Sequence, residues 1–183
     1  MGKVFKRLFI TLIVLIVIIV GAGWWLLSYI APDKQLDMAY ESIDVRAKAV
    51  AMAKRLKPEL VLTEPEVNDL IKSHLDPNVA KDVRIDGADF NLEENKLLAD
   101  LNITYKERIP AQVKAEYRLE WQEPNLVLIP ETLAMKGIDL PLSMLEAITI
   151  PLDLPTGELV TVQNVKFEVD QIRILFKLNF SFR

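Results

Sequence analysis

One histidine, His74, and no cysteine bound the chemistry open to this 183-residue chain. Without cysteine there is no thiolate nucleophile, no disulfide, no thiolate metal site and no lipid-modified cysteine. His74 has no second histidine at ligand spacing, so it reads as a surface or packing residue on a short helix. The acidic series Asp82, Asp86, Asp89, Glu93 and Glu94 does not have the spacing of a calcium loop and reads as solvated strand edges and turns. Five serines are scattered, with no His or Lys placed convincingly beside them for catalysis. There is no phosphate loop, dinucleotide glycine pattern, GxSxG elbow or HExxH helix. The expectation is a non-enzymatic protein with no catalytic, cofactor-binding or metal residues.

The informative segments are those that set location and shape. Of the 24 residues from Leu8 to Ala31, 20 are apolar, and none is charged. As a helix this run is about 36 Å long, against roughly 30 Å of bilayer hydrocarbon. Lys3, Lys6 and Arg7 precede it and no basic residue follows before Lys34. That asymmetry predicts a short cytoplasmic N-terminus (1–7), a transmembrane anchor (8–31) and an extracytoplasmic remainder. Trp24, Trp25 and Tyr29 cluster at the far end, where amphipathic rings settle at the membrane interface. Val20-Gly21-Ala22 would suit a signal-peptide cleavage site. The apolar run continues through Trp24-Trp25-Leu26-Leu27, however, which favours an uncleaved, single-pass cell-membrane protein.

All three basic residues of the first 31 lie before the anchor, so the remaining 152 carry 19 Lys and Arg against 26 acids, a net charge of −7. Such a domain is a poor partner for nucleic acid, which requires clustered Lys and Arg. Residues 32–60 have the composition of an Ala-rich amphipathic helix, predicted from Lys34 to Leu56 by an apolar stripe at helical spacing. Thr63-Glu64-Pro65-Glu66 then carries a capping box and a first-turn proline, opening a short helix with Val67, Leu70, Ile71 and Leu75 on one face. From Val83 the period changes to two. Asp86-Gly87 reads as a bulge or turn, Glu94-Asn95 as a hairpin turn, and Leu97–Tyr105 and Val113–Trp121 as strands. The last segment alternates from Ile172 to Phe182. The predicted fold is α+β: the transmembrane helix, then an extracytoplasmic domain (61–183) with a long curved antiparallel sheet packed by helices.

The order of these elements carries a resemblance. A basic-flanked anchor leads to Leu62-Thr63-Glu64-x-x-Val67-Asn68-x-Leu70-Ile71, then a strand meander, an apolar segment at Ile138-Asp139-Leu140-Pro141-Leu142, and long alternating strands. This resembles the YpmS-like family of uncharacterised membrane-anchored proteins of Gram-positive bacteria. The resemblance implies an extracytoplasmic location and transfers no catalytic residues. Two roles follow for a protein of the cell envelope. In the first, the sheet holds a lipid or other apolar ligand against Phe90, Tyr117, Trp121, Phe176 and Phe180. In the second, the chain is an adaptor subunit bound to an envelope protein partner. An apolar cavity favours the first, and a solid core with an exposed apolar patch the second.

Overall fold

Gly2–Ile30 forms one continuous helix, α1, and its stretch Phe9–Ile30 is long and apolar enough to cross a membrane. The computed structural model describes residues 2–54, 58–157 and 160–178 and is α+β, with this apolar helix leading into a largely antiparallel sheet domain.

The helix predicted from Lys34 is shorter than its composition suggests. Residues 31–44 are not helical; α2 spans only Val45–Lys54, and residues 55–57 lie outside the described set. Tertiary hydrogen bonds claim the backbone that a longer helix would need. Lys34 O accepts from Asn102 Nδ2 (2.7 Å), Asp37 O from the Ala88 N–H (3.1 Å) and Ala39 O from Lys72 Nζ (3.5 Å). Local propensity is a weak prior beside such contacts. Asp44 Oδ1 accepts the Ala47 N–H (2.7 Å) and so caps the shortened helix.

β1 (Glu59–Thr63) runs directly into α3 (Glu64–His74). The predicted capping box is in place: Glu66 Oε2 accepts from the Thr63 N–H (2.8 Å) and hydroxyl (3.0 Å). Lys48 of α2 is also paired with Glu66. Partial burial pushes the Glu66 carboxyl up, but the hydrogen bonds from Lys48 and Thr63 outweigh this and hold it below its ordinary range.

The strands form two sheets rather than the single long one expected. β2 (Val83–Glu93), β3 (Lys96–Tyr105), β4 (Ile109–Gln122) and β5 (Asn125–Met135) make a meander in sequence order. The two-residue β6 (Ile138–Asp139) and β7 (Ile148–Pro151) pair with opposite ends of β5. A second sheet has β9 (Gln171–Leu178) between β1 and β8 (Val160–Phe167). The final strand is therefore central, but to a three-stranded sheet that the alternation alone did not separate. Phe180 and Phe182 lie outside the described residues.

Alternation gives the meander one apolar and one charged face. On the charged face, side chains pair across strands, Lys114 with the opposed Asp100 at 3.0 Å and Arg118 with Glu131, at the irregularity of β5, at 2.9 Å. The apolar face joins Leu60, Leu62, Ile172, Ile174 and Phe176 of the small sheet in one core. α3 is the element between them, touching β1, β2, β7 and β9 and burying Val67, Leu70 and Ile71.

α3 also closes the edge of β2. The outward N–H groups of Phe90 and Leu92 donate to Asn68 Oδ1 (3.3 Å) and Glu64 Oε2 (2.9 Å). Further along, Ala88 N–H donates to Asp37 O, Ile85 to Pro77 O and Val83 to Ala80 O. The bulge between Ile85 and Gly87 keeps these donors in phase, and a Cβ at Gly87 would overlap the Leu36 backbone.

Two stability measurements check this arrangement, both by denaturant unfolding of the full chain in detergent. Asn68→Leu leaves the Phe90 N–H unpaired and should cost about 1–3 kcal/mol, most of it recovered by Asn68→Asp, which still accepts. Phe176→Ala should cost about 3–5 kcal/mol, because its ring is packed in the core. The exposed neighbour Lys177→Ala should cost less than about 1 kcal/mol.

Candidate functional site: an apolar cavity beside the apolar helix

The apolar face of the meander is longer than the helix that covers it. α3 is about 16 Å long at about 1.5 Å per residue, whereas β4 runs roughly 48 Å at about 3.4 Å per residue. α3 docks over Phe90 and Leu92 of β2, and toward the β3–β4 turn the sheet passes beyond its reach. There a cavity of about 590 Å³ opens.

Its floor follows the strand pairing. From the turn inward come Val83, Tyr105 and Ile109, then Ile85, Ile103 and Ala111, then Leu101 and Val113, with Phe90, Leu133 and Tyr117 at the far end. One wall is the end of α3 and the loop after it, His74 to Ala80. The other is the connection between β6 and β7, through Leu140, Met144, Leu145 and Ile148. The last residue of α1, Ile30, completes the lining.

Exposure marks which end is open. Phe90, Leu101, Val113 and Tyr117 are buried, whereas Tyr105 is 40% and Met144 43% exposed. Polar groups collect at this mouth: His74, Asp76, Asn78 and Glu146. The Nδ1 of His74 lies 2.9 Å from the Leu70 carbonyl and 3.0 Å from Ser73 Oγ. An adjoining polar recess of about 410 Å³ shares Asn78, Ala80 and Val83 with the cavity. It adds Asp82, Arg84, Thr104, Lys106 and Glu107, a balanced set of charges.

At the closed end, the Tyr117 hydroxyl makes no hydrogen bond among the described residues. Burial pushes its pKa up to about 12, so it is a neutral phenol. It is the polar group on the deep wall and is free to donate to an occupant.

Of the residues singled out in the sequence as ligand contacts, Phe90 and Tyr117 meet on this cavity. Trp121 is half-buried against the core and does not line it. Phe176 belongs to the core beside the small sheet, since β9 is in the other layer. Phe180 lies outside the described residues. Trp24, Trp25 and Tyr29 are exposed on the last turns of α1, with the Trp25 and Tyr29 rings stacked at 5.8 Å. The sequence reading missed both walls, His74–Ala80 and Leu140–Thr149, and the contribution of Ile30. A usable signal was present: an 11-residue helix bounded by Thr63 and Pro77 cannot roof strands of 10 to 14 residues.

Asp86 is held by Arg84 at 2.8 Å, and Asp89 lies 3.9 Å from Lys34. Among the described residues no three His, Asp or Glu side chains are grouped to hold a metal ion. Compared with protein-family models, curated proteins and solved structures, the chain matches none.

Proposed function

We propose that this chain is a non-enzymatic, single-pass cell-membrane protein whose extracytoplasmic domain holds the acyl chain of a lipid. The observation that carries the reading is the apolar cavity with its mouth beside the end of the apolar helix. A volume of about 590 Å³ falls within the usual ligand-pocket range of roughly 300–1,000 Å³. Its floor from Ile109 to Tyr117 follows roughly 27 Å of strand at about 3.4 Å per residue. One acyl chain spans half of a hydrocarbon core, about 15 Å, and so fits along this floor. The polar rim and recess suit a headgroup, and their mixed charges suit one of low net charge. The alternative role as an adaptor subunit called for a solid core, which the cavity interrupts.

The orientation rests on the charges around α1. Lys3, Lys6 and Arg7 flank one end and no Lys or Arg follows until Lys34, the arrangement that keeps an N-terminus in the cytoplasm. Trp24, Trp25 and Tyr29 then lie at the outer interface.

Lipid extraction and mass spectrometry of protein purified in mild detergent should recover an acyl-chain lipid. Ile103→Trp should lose it while keeping the wild-type melting temperature, because this half-buried side chain of the floor borders the open part of the cavity. A packed core would instead be destabilised by about 1–3 kcal/mol. Such destabilisation, with no lipid recovered from the wild type, would overturn the reading. In intact cells, protease added outside should remove a C-terminal tag from membrane-bound protein. A protected tag, or a soluble product starting near Gly23, would refute the topology.

A further inference from the structure

From β6 to β7 the chain exposes three large apolar side chains, Ile138 (66%), Leu142 (43%) and Met144 (43%). The same stretch turns Leu140 and Leu145 inward against the core and the cavity. Beyond the two residues of β6, its regular structure is a single 3-10 turn, Leu142–Met144, behind Pro141. Such residues are normally polar in a connection over the surface of a soluble domain.

The position of this stretch is fixed relative to α1. Lys136 Nζ lies 2.6 Å from Asp33 Oδ2, and the Asp33 N–H donates to Gln112 Oε1 at 3.2 Å. Asp33 is three residues past the end of α1, and Lys136 is two residues before Ile138. The base of the exposed stretch is therefore clamped to the point where the apolar helix ends. Ile30, from that end, and Met144, from the stretch, line one cavity. Where α1 leaves a bilayer, the Asp33–Lys136 contact and the lining shared by Ile30 and Met144 keep this stretch beside the end of the helix.

We infer that Ile138–Glu146 is a lip that enters the outer leaflet around α1 and passes an acyl chain laterally between bilayer and cavity. This rests on the lipid-holding reading above. The partner surface is the lipid bilayer: the lip continues the apolar surface of α1, and its charged residues, Asp139 and Glu146, give no attraction to anionic headgroups. Insertion is thus driven by apolar contact and does not require anionic lipid. Leu140 and Leu145 turn inward between the exposed residues, so the segment is apolar on both sides, facing lipid on one and the cavity on the other.

The absence of cysteine allows a single reporter to be placed at will. In the full chain reconstituted into phosphatidylcholine vesicles, Leu142→Cys and Met144→Cys carry an environment-sensitive fluorophore. Both should be quenched by lipids with spin labels near the headgroup. Val169→Cys, exposed in the β8–β9 turn beside the opposite end of α3, should not. The double variant Ile138→Glu/Leu142→Glu should take up a fluorescent phospholipid from vesicles about tenfold more slowly, since charge is costly in the bilayer. It should bind a soluble short-chain lysophospholipid probe as the wild type does, because both side chains are exposed and neither lines the cavity. Equal quenching at 142 and 169, or wild-type uptake by the double variant, overturns the lip. A wild-type chain that fails to bind the soluble probe overturns the cavity reading instead, and the quenching comparison still decides the lip.

Discussion

The domain depends on how the free edge of β2 is closed. A strand edge brought into a core leaves a row of N–H groups, each costing about 1–3 kcal/mol if left unpaired. Among the described residues no further strand covers that edge. Asn68 and Glu64, four residues apart on one face of α3, accept from Phe90 and Leu92, while the Asp37, Pro77 and Ala80 carbonyls accept from Ala88, Ile85 and Val83. The polar face of α3 thus binds the large sheet through its backbone, and the apolar face, Val67, Leu70 and Ile71, packs into the core shared by both sheets. Glu66, between them on that helix, faces Thr63 and Lys48, fixing the helix start and holding α2. One 11-residue helix joins every layer of the domain.

The same helix leaves the cavity. Because it is tied to the far part of β2, it cannot also cover the strand ends near Tyr105 and Ile109. At about 24 cal/mol per Å³, an enclosed and empty void of this volume would cost on the order of 10 kcal/mol. That is comparable with the whole net stability of a typical domain. Such a void persists only where it is open, as here at Tyr105 and Met144, or filled. Two features argue against a packing defect: the wall is apolar over most of its area, and polar groups are confined to the mouth and to Tyr117.

Much of this was legible in the sequence. The capping box of α3, the Gly87 bulge, the Glu94-Asn95 turn and the strands of the meander all follow from local rules, and the structure has each of them. What failed was whatever depended on partners distant in sequence. Residues 34–44 have helix-forming composition, but Asn102, Ala88 and Lys72 take their carbonyls. The alternation from Ile172 onward marks a buried face but does not say which sheet it belongs to; that is decided by β1, five residues hidden before a helix start. For the same reason aromatic content grouped Phe176 with Phe90 and Tyr117, although Phe90 and Tyr117 line the cavity and Phe176 lies on a strand of the other sheet. The motif Thr63-Glu64-x-x-Val67-Asn68 was legible as a helix start, while the role of Glu64 and Asn68 in closing a strand edge required the fold.

The connection between α1 and the domain bears most directly on the proposed role. As a flexible linker, residues 31–44 would let the domain wander by roughly 20 Å, and the cavity would face the bilayer only by chance. Instead Asp33 is held by Gln112 and Lys136, Lys34 by Asn102, Asp37 by Ala88 and Ala39 by Lys72. The hydrogen bonds that prevent a helix at 34–44 are those that lay this segment along the domain. They keep the segment that follows the apolar helix against the sheet, on the side where Ile30 lines the cavity. A loss of local helix propensity is thereby exchanged for a set orientation. In the proposed role, where the ligand comes from a surrounding membrane, orientation would govern whether the mouth meets the lipid at all.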